Sequence, residues 1–299
     1  MFWFKNAMIY RLTKTIDLTN LQDKLAQQKF VPCAPSDKSN FGWIEPLKDS
    51  DLFHHSTMGH ILIVAQKEEK DLPAAVIKRE LDVLIEKHEK AENRKLKKTE
   101  KQSLKDDVIT TLLPRAFSKY KQTAIWIDTN KRLIYVDAAT SSRAEDALAL
   151  LRKSLGSLPV VPLKFAKEPA LVMKDWIIQE QTPAWLEVLD ESQLRDVATD
   201  GELKSKQISL DSEEMLAFAE HCFVTKLALD WEDNLKFVLN EDGSLKRLKF
   251  DDCVREKNDD ILKDDFVQRF DADFVLMTGI LSQLIENLLS EFGGELERL

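Results

Sequence analysis

The chain has 299 residues, 43% of them hydrophobic and 32% charged, with a formal net charge of −9 at pH 7. That apolar share excludes global disorder, and the length is one at which a single core stops growing and subdomains appear. Eight glycines and nine prolines argue against low complexity and against a Gly-rich, phosphate-cradling enzyme.

The N-terminal MFWFKNAMIYRL carries Lys5 and Arg11 among its apolar residues, so it lacks the uncharged core of a signal peptide. No segment approaches the roughly 20 consecutive apolar residues of a membrane span. NAMIYRLTKTI predicts a strand, and LTNLQDKLAQQ predicts a helix with Leu18, Leu21 and Leu25 on one side. FVPC and FGWIEPL read as short strands and HILIVAQKE as a buried one. Further on, QTAIWIDT and RLIYVDAA predict a hairpin across Thr129, Asn130 and Lys131. SSRAEDALALLRKSL predicts a helix with Ser141 or Ser142 as N-cap and Gly156 past its end, followed by a strand in LPVVPL. Strand, helix and strand thus occur twice, a faint echo of two similar units.

Between these stretches, residues 72–116 read as helical. Ile77, Leu81, Leu84 and Ile85 form one apolar stripe, and Val108, Leu112 and Leu113 form another. From Glu89 to Ser103 the only apolar residues are Ala91 and Leu96. With no stripe to bury, this part is expected to project into solvent as a helical hairpin. Thr99 to Gln102 and Ser103 to Asp106 resemble capping boxes and predict a break and restart nearby.

In the C-terminal part, CFVTKLALDWEDNLKFVLNEDGSLKRLKF predicts three alternating strands, the last two joined by a type I′ turn at Asp242-Gly243. DADFVLMTGILSQLIENLLSEF predicts a long helix covering their apolar face and ending at Gly293-Gly294. The fold class expected is α+β, with antiparallel-sheet domains, packed helices and a protruding helical arm. The expected division is a central sheet domain of residues 1–71 and 118–166, an arm of residues 72–117, and a C-terminal base domain of residues 167–299.

The charge is unevenly distributed. On a continuous helix Lys87, Lys90, Arg94, Lys98, Lys101 and Lys105 would share one face roughly 27 Å long. Such a stripe, with Lys97 beside it, could neutralise phosphates without reading sequence. It could equally be a solvated face, because Glu89, Glu92 and Glu100 offset part of the charge. After Pro114, Arg115 and Phe117 flank Ala116; an arginine beside an aromatic suits phosphate contact and base stacking, whereas a lone Phe117 could simply pack at the hinge of the arm. Lys204, Lys206 and Gln207, then Lys226, Lys246, Arg247 and Lys249, form further small basic groups; alternation would place Arg247 and Lys249 together, opposite Lys246.

Catalytic signals are poor. Asp251, Asp252, Asp259, Asp260, Asp264, Asp265, Asp271 and Asp273 could suggest a two-metal nuclease, but several sit where helix caps are needed. His54, His55 and His60 lack an H-E-x-x-H pattern, and neither a P-loop nor a G-x-S-x-G elbow occurs. Cys33, Cys222 and Cys253 form neither a C-x-x-C pair nor a disulfide framework, which points to a reducing, cytoplasmic setting. No cofactor or metal is expected, and no enzymatic activity.

The stretches FWFKNAMIYRL, RKLKKTEKQSLKDDVITTLLPRAFSKYKQTAIWID, LALLRKSLGSLPVVPL, VTKLALDWEDNLKFVLNEDGSLKRLKF and QRFDADFVLMTG resemble, collinearly and along essentially the whole chain, the proteobacterial RdgC family of recombination-associated proteins. The resemblance implies a non-enzymatic protein that binds single- and double-stranded DNA with little sequence preference. It implies a ring-shaped homodimer whose positive hole encircles duplex DNA, association with the nucleoid, and restraint of RecA by occupation of the DNA. It also implies that Arg94 is a basic position of the arm and that Arg115 and Phe117 serve DNA binding or ring closure. Lys206 and Gln207 match a pair near the other subunit contact, and Lys226 a lysine of the C-terminal sheet; Lys204 and Lys246 are added on charge alone. The alternatives are a metal-dependent nuclease using the C-terminal carboxylates, or a module that grips a recombination protein directly.

Overall fold

In the computed structural model, residues 3–48, 50–179, 181–206, 219–261 and 265–297 are described. In chain order they form β1 (Asn6–Leu12), α1 (Leu21–Ala26), β2 (Ser39–Ile44), β3 (His54–Thr57), β4 (His60–Asp71), α2 (Ala74–Glu92), α3 (Lys98–Leu112), β5 (Phe117–Asp128), β6 (Leu133–Val136), α4 (Ser141–Leu155) and β7 (Val160–Pro162). The second part adds α5 (Pro169–Ile178), β8 (Leu186–Asp196), β9 (Glu202–Lys206), β10 (Cys222–Trp231), β11 (Leu235–Asn240), β12 (Leu245–Phe250), α6 (Asp252–Arg255) and α7 (Phe266–Glu291). The fold is α+β.

The strands join in one antiparallel path, β2-β4-β5-β6-β1-β12-β11-β10-β8-β9, with β3 on β4 and β7 on β1. β1 is the seam. Its first residues, Asn6 and Ala7, pair with Lys246 and Leu245 of β12, while Met8 to Arg11 pair with β6. Both faces of β1 can be buried because its apolar residues do not alternate strictly: Ala7 and Ile9 face one side, Tyr10 and Leu12 the other.

One face is covered from β4 to β8. The helix α7 sets Phe274, Met277, Leu281 and Ile285 against Val64, Trp126, Leu227 and Leu229, and α5 adds Met173 and Trp176. By length and composition α7 could also cross a membrane, contrary to the expectation that no segment would; here its apolar stripe is buried in the core. The opposite face is covered only over the first half, where Leu25 of α1 and Leu148 and Leu151 of α4 meet Ile63, Ile125 and Ile134. Beyond β1, none of the described helices packs on that face.

Three local expectations are corrected. Residues 30–33 are not a strand; a single bridge from Lys29 to Trp43 precedes them, and Pro32 cannot donate to a ladder. The cap of α4 is Thr140, whose Oγ1 accepts from the Arg143 N–H at 3.4 Å. The β11–β12 turn is not type I′: only Gly243, at φ 78°, lies in the left-handed region, and its N–H donates to the Asn240 carbonyl at 2.9 Å. That is a type I turn closed by a left-handed glycine, the usual three-residue hairpin loop.

Candidate nucleic-acid interface

The uncovered face of β8 to β12 is where the basic residues meet. Lys246 stands opposite Asn6 and Val238; Lys226 opposite Asn240 and Gln193; Lys204 opposite Gln193. Lys206 lies two residues beyond Lys204 and opposite Glu191. Cross-strand partners and second neighbours share a face, so Lys204, Lys206, Lys226 and Lys246 form one patch although β9, β10 and β12 supply them.

The expected alternation in β12 fails at Arg247, which has φ 52°. The irregularity lets Leu245, Leu248 and Phe250 all point into the core, and it returns Lys249, paired with Lys236, to the face that carries Lys246. Arg247 reaches Glu191 at 2.8 Å. Its hydrogen bond is the main reason the Glu191 carboxyl is held below the usual range; burial opposes this, and Lys206 and Lys226 reinforce it.

These side chains line a groove of about 680 Å³ whose other wall is formed by Ala139, Thr140 and Ser141, where α4 begins. The Lys246 Nζ donates to the Ala139 carbonyl at 2.8 Å. Burial pushes its ammonium below the ordinary lysine range; Asp242 opposes the shift and Lys226 adds to it. Lys204 pairs with Glu202 at 3.6 Å, and among the described residues Lys206 and Lys226 have no ion pair. The first turn of α4 leaves backbone N–H groups without intrahelical partners beside the groove. The arrangement can hold polyanions. Gln207 lies outside the described residues.

The arm is a helical hairpin, as expected, so the one continuous helix that the basic stripe requires does not form. The chain reverses at Asn93, in the left-handed region at φ 49°, and α3 starts after Lys97, whose N–H donates to Glu100 Oε2 at 2.6 Å. Lys87 and Lys90 therefore belong to α2, and Lys98, Lys101 and Lys105 to α3. The continuous 27 Å stripe does not exist. Helix α2 has no fully buried residue and α3 only Val108.

Several arm cations are already engaged. The Arg94 guanidinium lies 2.7 Å from Glu100 and 2.5 Å from Glu92, Lys101 is 3.4 Å from Glu89, and Lys90 is 2.6 Å from Glu86. Hydrogen bonds from Arg94, then from the Lys97 N–H, lower the Glu100 carboxyl to about 2. Among the described residues Lys87, Lys97, Lys98 and Lys105 have no ion pair.

At the root of the arm, Leu113–Arg115 form a single 3-10 turn and Phe117 opens β5. Phe117 is 87% exposed. The reading in which it packs at the hinge within the chain is thereby overturned. Arg115 is exposed beside it.

The C-terminal carboxylates do not gather. Asp251 caps α6 by accepting from the Cys253 N–H at 3.1 Å, and Asp265 caps α7 by accepting from Gln268 at 3.0 Å. Asp259 pairs with Arg269, Asp271 with His55 at 2.8 Å, and Asp273 accepts from Asn258 at 2.8 Å. Asp264 lies outside the described residues. Among the described residues no three of His, Cys, Asp and Glu converge as a metal site. The His60 Nδ1 is 3.1 Å from the Trp126 Nε1.

Two features of the interface were missed in the sequence. The α4 N-terminus as a wall of the groove depends on β1 pairing with β12, which no local pattern signals. The irregularity at Arg247 had one available signal: Lys-Arg between Leu245 and Leu248 breaks strict alternation.

The family model described as "Putative exonuclease, RdgC" matches residues 2–295. The chain is 63% identical over 302 residues to the recombination-associated protein RdgC of Mannheimia succiniciproducens, with all of both chains covered. It is 61% identical to the proteins of the same name from Actinobacillus succinogenes and Pasteurella multocida, again over the full length of both chains.

Proposed function

The chain belongs to the RdgC family, and from that premise and the one-sided basic sheet we propose that it binds DNA without reading sequence. The observation that carries this reading is the convergence of Lys204, Lys206, Lys226 and Lys246 on the uncovered face beside the α4 N-terminus. A protein of net charge −9 docks through local potential, and one face of like cations is sufficient to attract phosphates. Among the described residues no aromatic side chain lines the groove with the lysines, and of its amides Asn6 already donates to Asp137 and Asn240 to Ser244, which favours backbone contact over base readout.

The active form in this proposal is a homodimeric ring. Phe117 at the arm root makes one subunit contact, and the region of Lys206 and Gln207 lies near the other. A two-fold assembly doubles the basic face and turns it toward a hole wide enough for duplex DNA, while single strands are held through the same phosphates. Occupied DNA is withheld from RecA, which limits recombination without catalysis or cofactor. The site of action is the cytoplasmic nucleoid.

Binding to unrelated duplexes and to single strands is expected to weaken linearly with log salt, with nearly equal slopes for the duplexes. Salt-independent binding, or strong preference for one sequence, would contradict the proposal. The nuclease reading has the family description in its favour; labelled DNA left intact after long incubation with Mg²⁺ or Mn²⁺ would remove it.

A further inference from the structure

A second cavity, of about 670 Å³, adjoins the basic groove on the same side of the sheet and has the opposite character. It lies between α4, the loop after β7 and the β11–β12 turn. Ser141 and Asp242 line both spaces. The apolar part of its wall includes Met8, Pro162, Phe165 and Leu296.

Its charged groups are mostly of one sign. Glu145, Glu168, Glu241 and Asp242 line it, against the single cation Lys164. Glu241 is engaged by Arg195 at 3.0 Å. The Asp242 Oδ1 accepts from the Ser244 N–H at 2.9 Å and from the Ser244 hydroxyl. Among the described residues Glu145 and Glu168 have no ion pair.

An independent observation comes from Tyr10. Its side chain is only 6% exposed, it lines the cavity, and among the described residues its hydroxyl has no hydrogen-bond partner. Glu145 and Asp242 both act on that hydroxyl electrostatically. The ring is packed while the hydroxyl is open to the cavity, where a phenol offers a ligand both a donor and an acceptor beside carboxylates that can take a donor or a cation. The wall is also preformed. Gly243 holds φ 78° with its absent Cβ 2.9 Å from the Phe165 ring, and that ring stacks on Phe292 at 4.7 Å.

We propose that this cavity binds an alkylammonium chain, its methylenes along Met8, Phe165 and Leu296 and its ammonium among Glu145, Asp242 and the Tyr10 hydroxyl. A free linear polyamine and a lysine side chain of another protein share this chemistry. The inference stands apart from the DNA-binding reading, since it uses neither the lysines nor the arm.

The test is calorimetric titration of the full chain at low salt with spermidine, and separately with Nα-acetyl-lysine amide. Saturable binding of spermidine at one site per chain is expected, weakened about tenfold in Glu145→Gln, as for loss of a charge-assisted hydrogen bond. Tyr10→Phe, which keeps the ring packed, is expected to weaken it a few-fold. Comparable binding of the lysine amide would assign the site to a protein side chain; binding of spermidine alone would assign it to the free polyamine. The proposal is overturned if neither binds, or if Asp23→Asn/Asp82→Asn, distant from the cavity, weakens binding as much as Glu145→Gln does. That last result would mean diffuse attraction to an acidic surface.

Discussion

The Lys246 ammonium donates a 2.8 Å hydrogen bond to the Ala139 carbonyl, joining β12 to the segment that leads into α4. The same lysine is pushed below its ordinary pKa, first by burial and then by Lys226, against the pull of Asp242. Between its folded and unfolded pKa values the unfolded chain binds more protons, so this group makes stability rise with pH in that alkaline window. At neutral pH burial of the charge opposes folding, and the hydrogen bond to Ala139 offsets that cost. Lys246→Met is therefore expected to leave thermal stability within about 0.5 kcal/mol of the parent while weakening DNA binding. Melting curves and DNA titrations on one preparation check this. A large loss of stability with unchanged binding would make Lys246 a structural strut.

Lys206 and Lys226 face the groove without ion pairs among the described residues, whereas Arg94 lies between Glu92 and Glu100. Each neutralised phosphate adds about 0.9 to the slope of log affinity against log salt for duplex DNA. Lys206→Ala and Lys226→Ala should each lower that slope by about this amount. Arg94→Ala should change it little, because its charge is already spent within the arm. Fluorescence anisotropy over a salt series separates the outcomes. A slope lowered as far in Arg94→Ala as in the lysine variants would mean that DNA displaces Glu100.

The difference between these residues shows what was legible in the sequence. The strands from Cys222 to Phe250 and the helix after them announce themselves through local periodicity, and the arm through its lack of an apolar stripe. The patch itself does not. Lys204 and Lys226 become neighbours only because both face Gln193 of β8, and Lys246 joins them through a register spanning residues 226 to 246. Register between strands is a non-local property, so a chain-order reading yields separate weak groups. The arm shows the converse error. Helical spacing placed six cations on one face, but the reversal at the left-handed Asn93 divided five of them between two helices and left Arg94 in the connection.

The arm should also respond to acid. The Glu100 carboxyl titrates at about 2 instead of the ordinary 4.5, through hydrogen bonds from Arg94 and then from the Lys97 N–H. A depressed carboxylate stabilises the folded state above its unfolded pKa, and this contribution fades as pH falls from about 4.5 toward 2. Amide protection at the start of α3, taken as exchange relative to the intrinsic rate at each pH, should fall across that window. In Glu100→Gln that protection should be lower already at pH 6 and change little below it. Identical pH profiles in the two proteins would show that the Arg94–Glu100 pair does not hold the reversal of the arm.

Phe117 offers the sharpest separation of assembly from folding. Its ring is 87% exposed in the single chain, so its removal deletes almost no intrachain burial, and a stability change within ±0.5 kcal/mol is the norm for such a site. An exposed aromatic of this size beside Arg115 has the character of an interface anchor, and truncating such an anchor typically costs 2 kcal/mol or more of binding, roughly thirtyfold in dissociation constant. Phe117→Ser should therefore dissociate the proposed dimer at concentrations where the parent is intact, with an unchanged far-ultraviolet spectrum and monomer unfolding midpoint. Sedimentation equilibrium over a concentration series measures the first, and denaturant titration at low concentration the second. If the ring hypothesis holds, the variant also loses its longer residence on closed circular duplexes relative to short linear ones, because a monomer can bind a circle but cannot be trapped on it. An unaltered dimer in Phe117→Ser would place the subunit contact elsewhere and leave the exposed ring free to meet DNA directly.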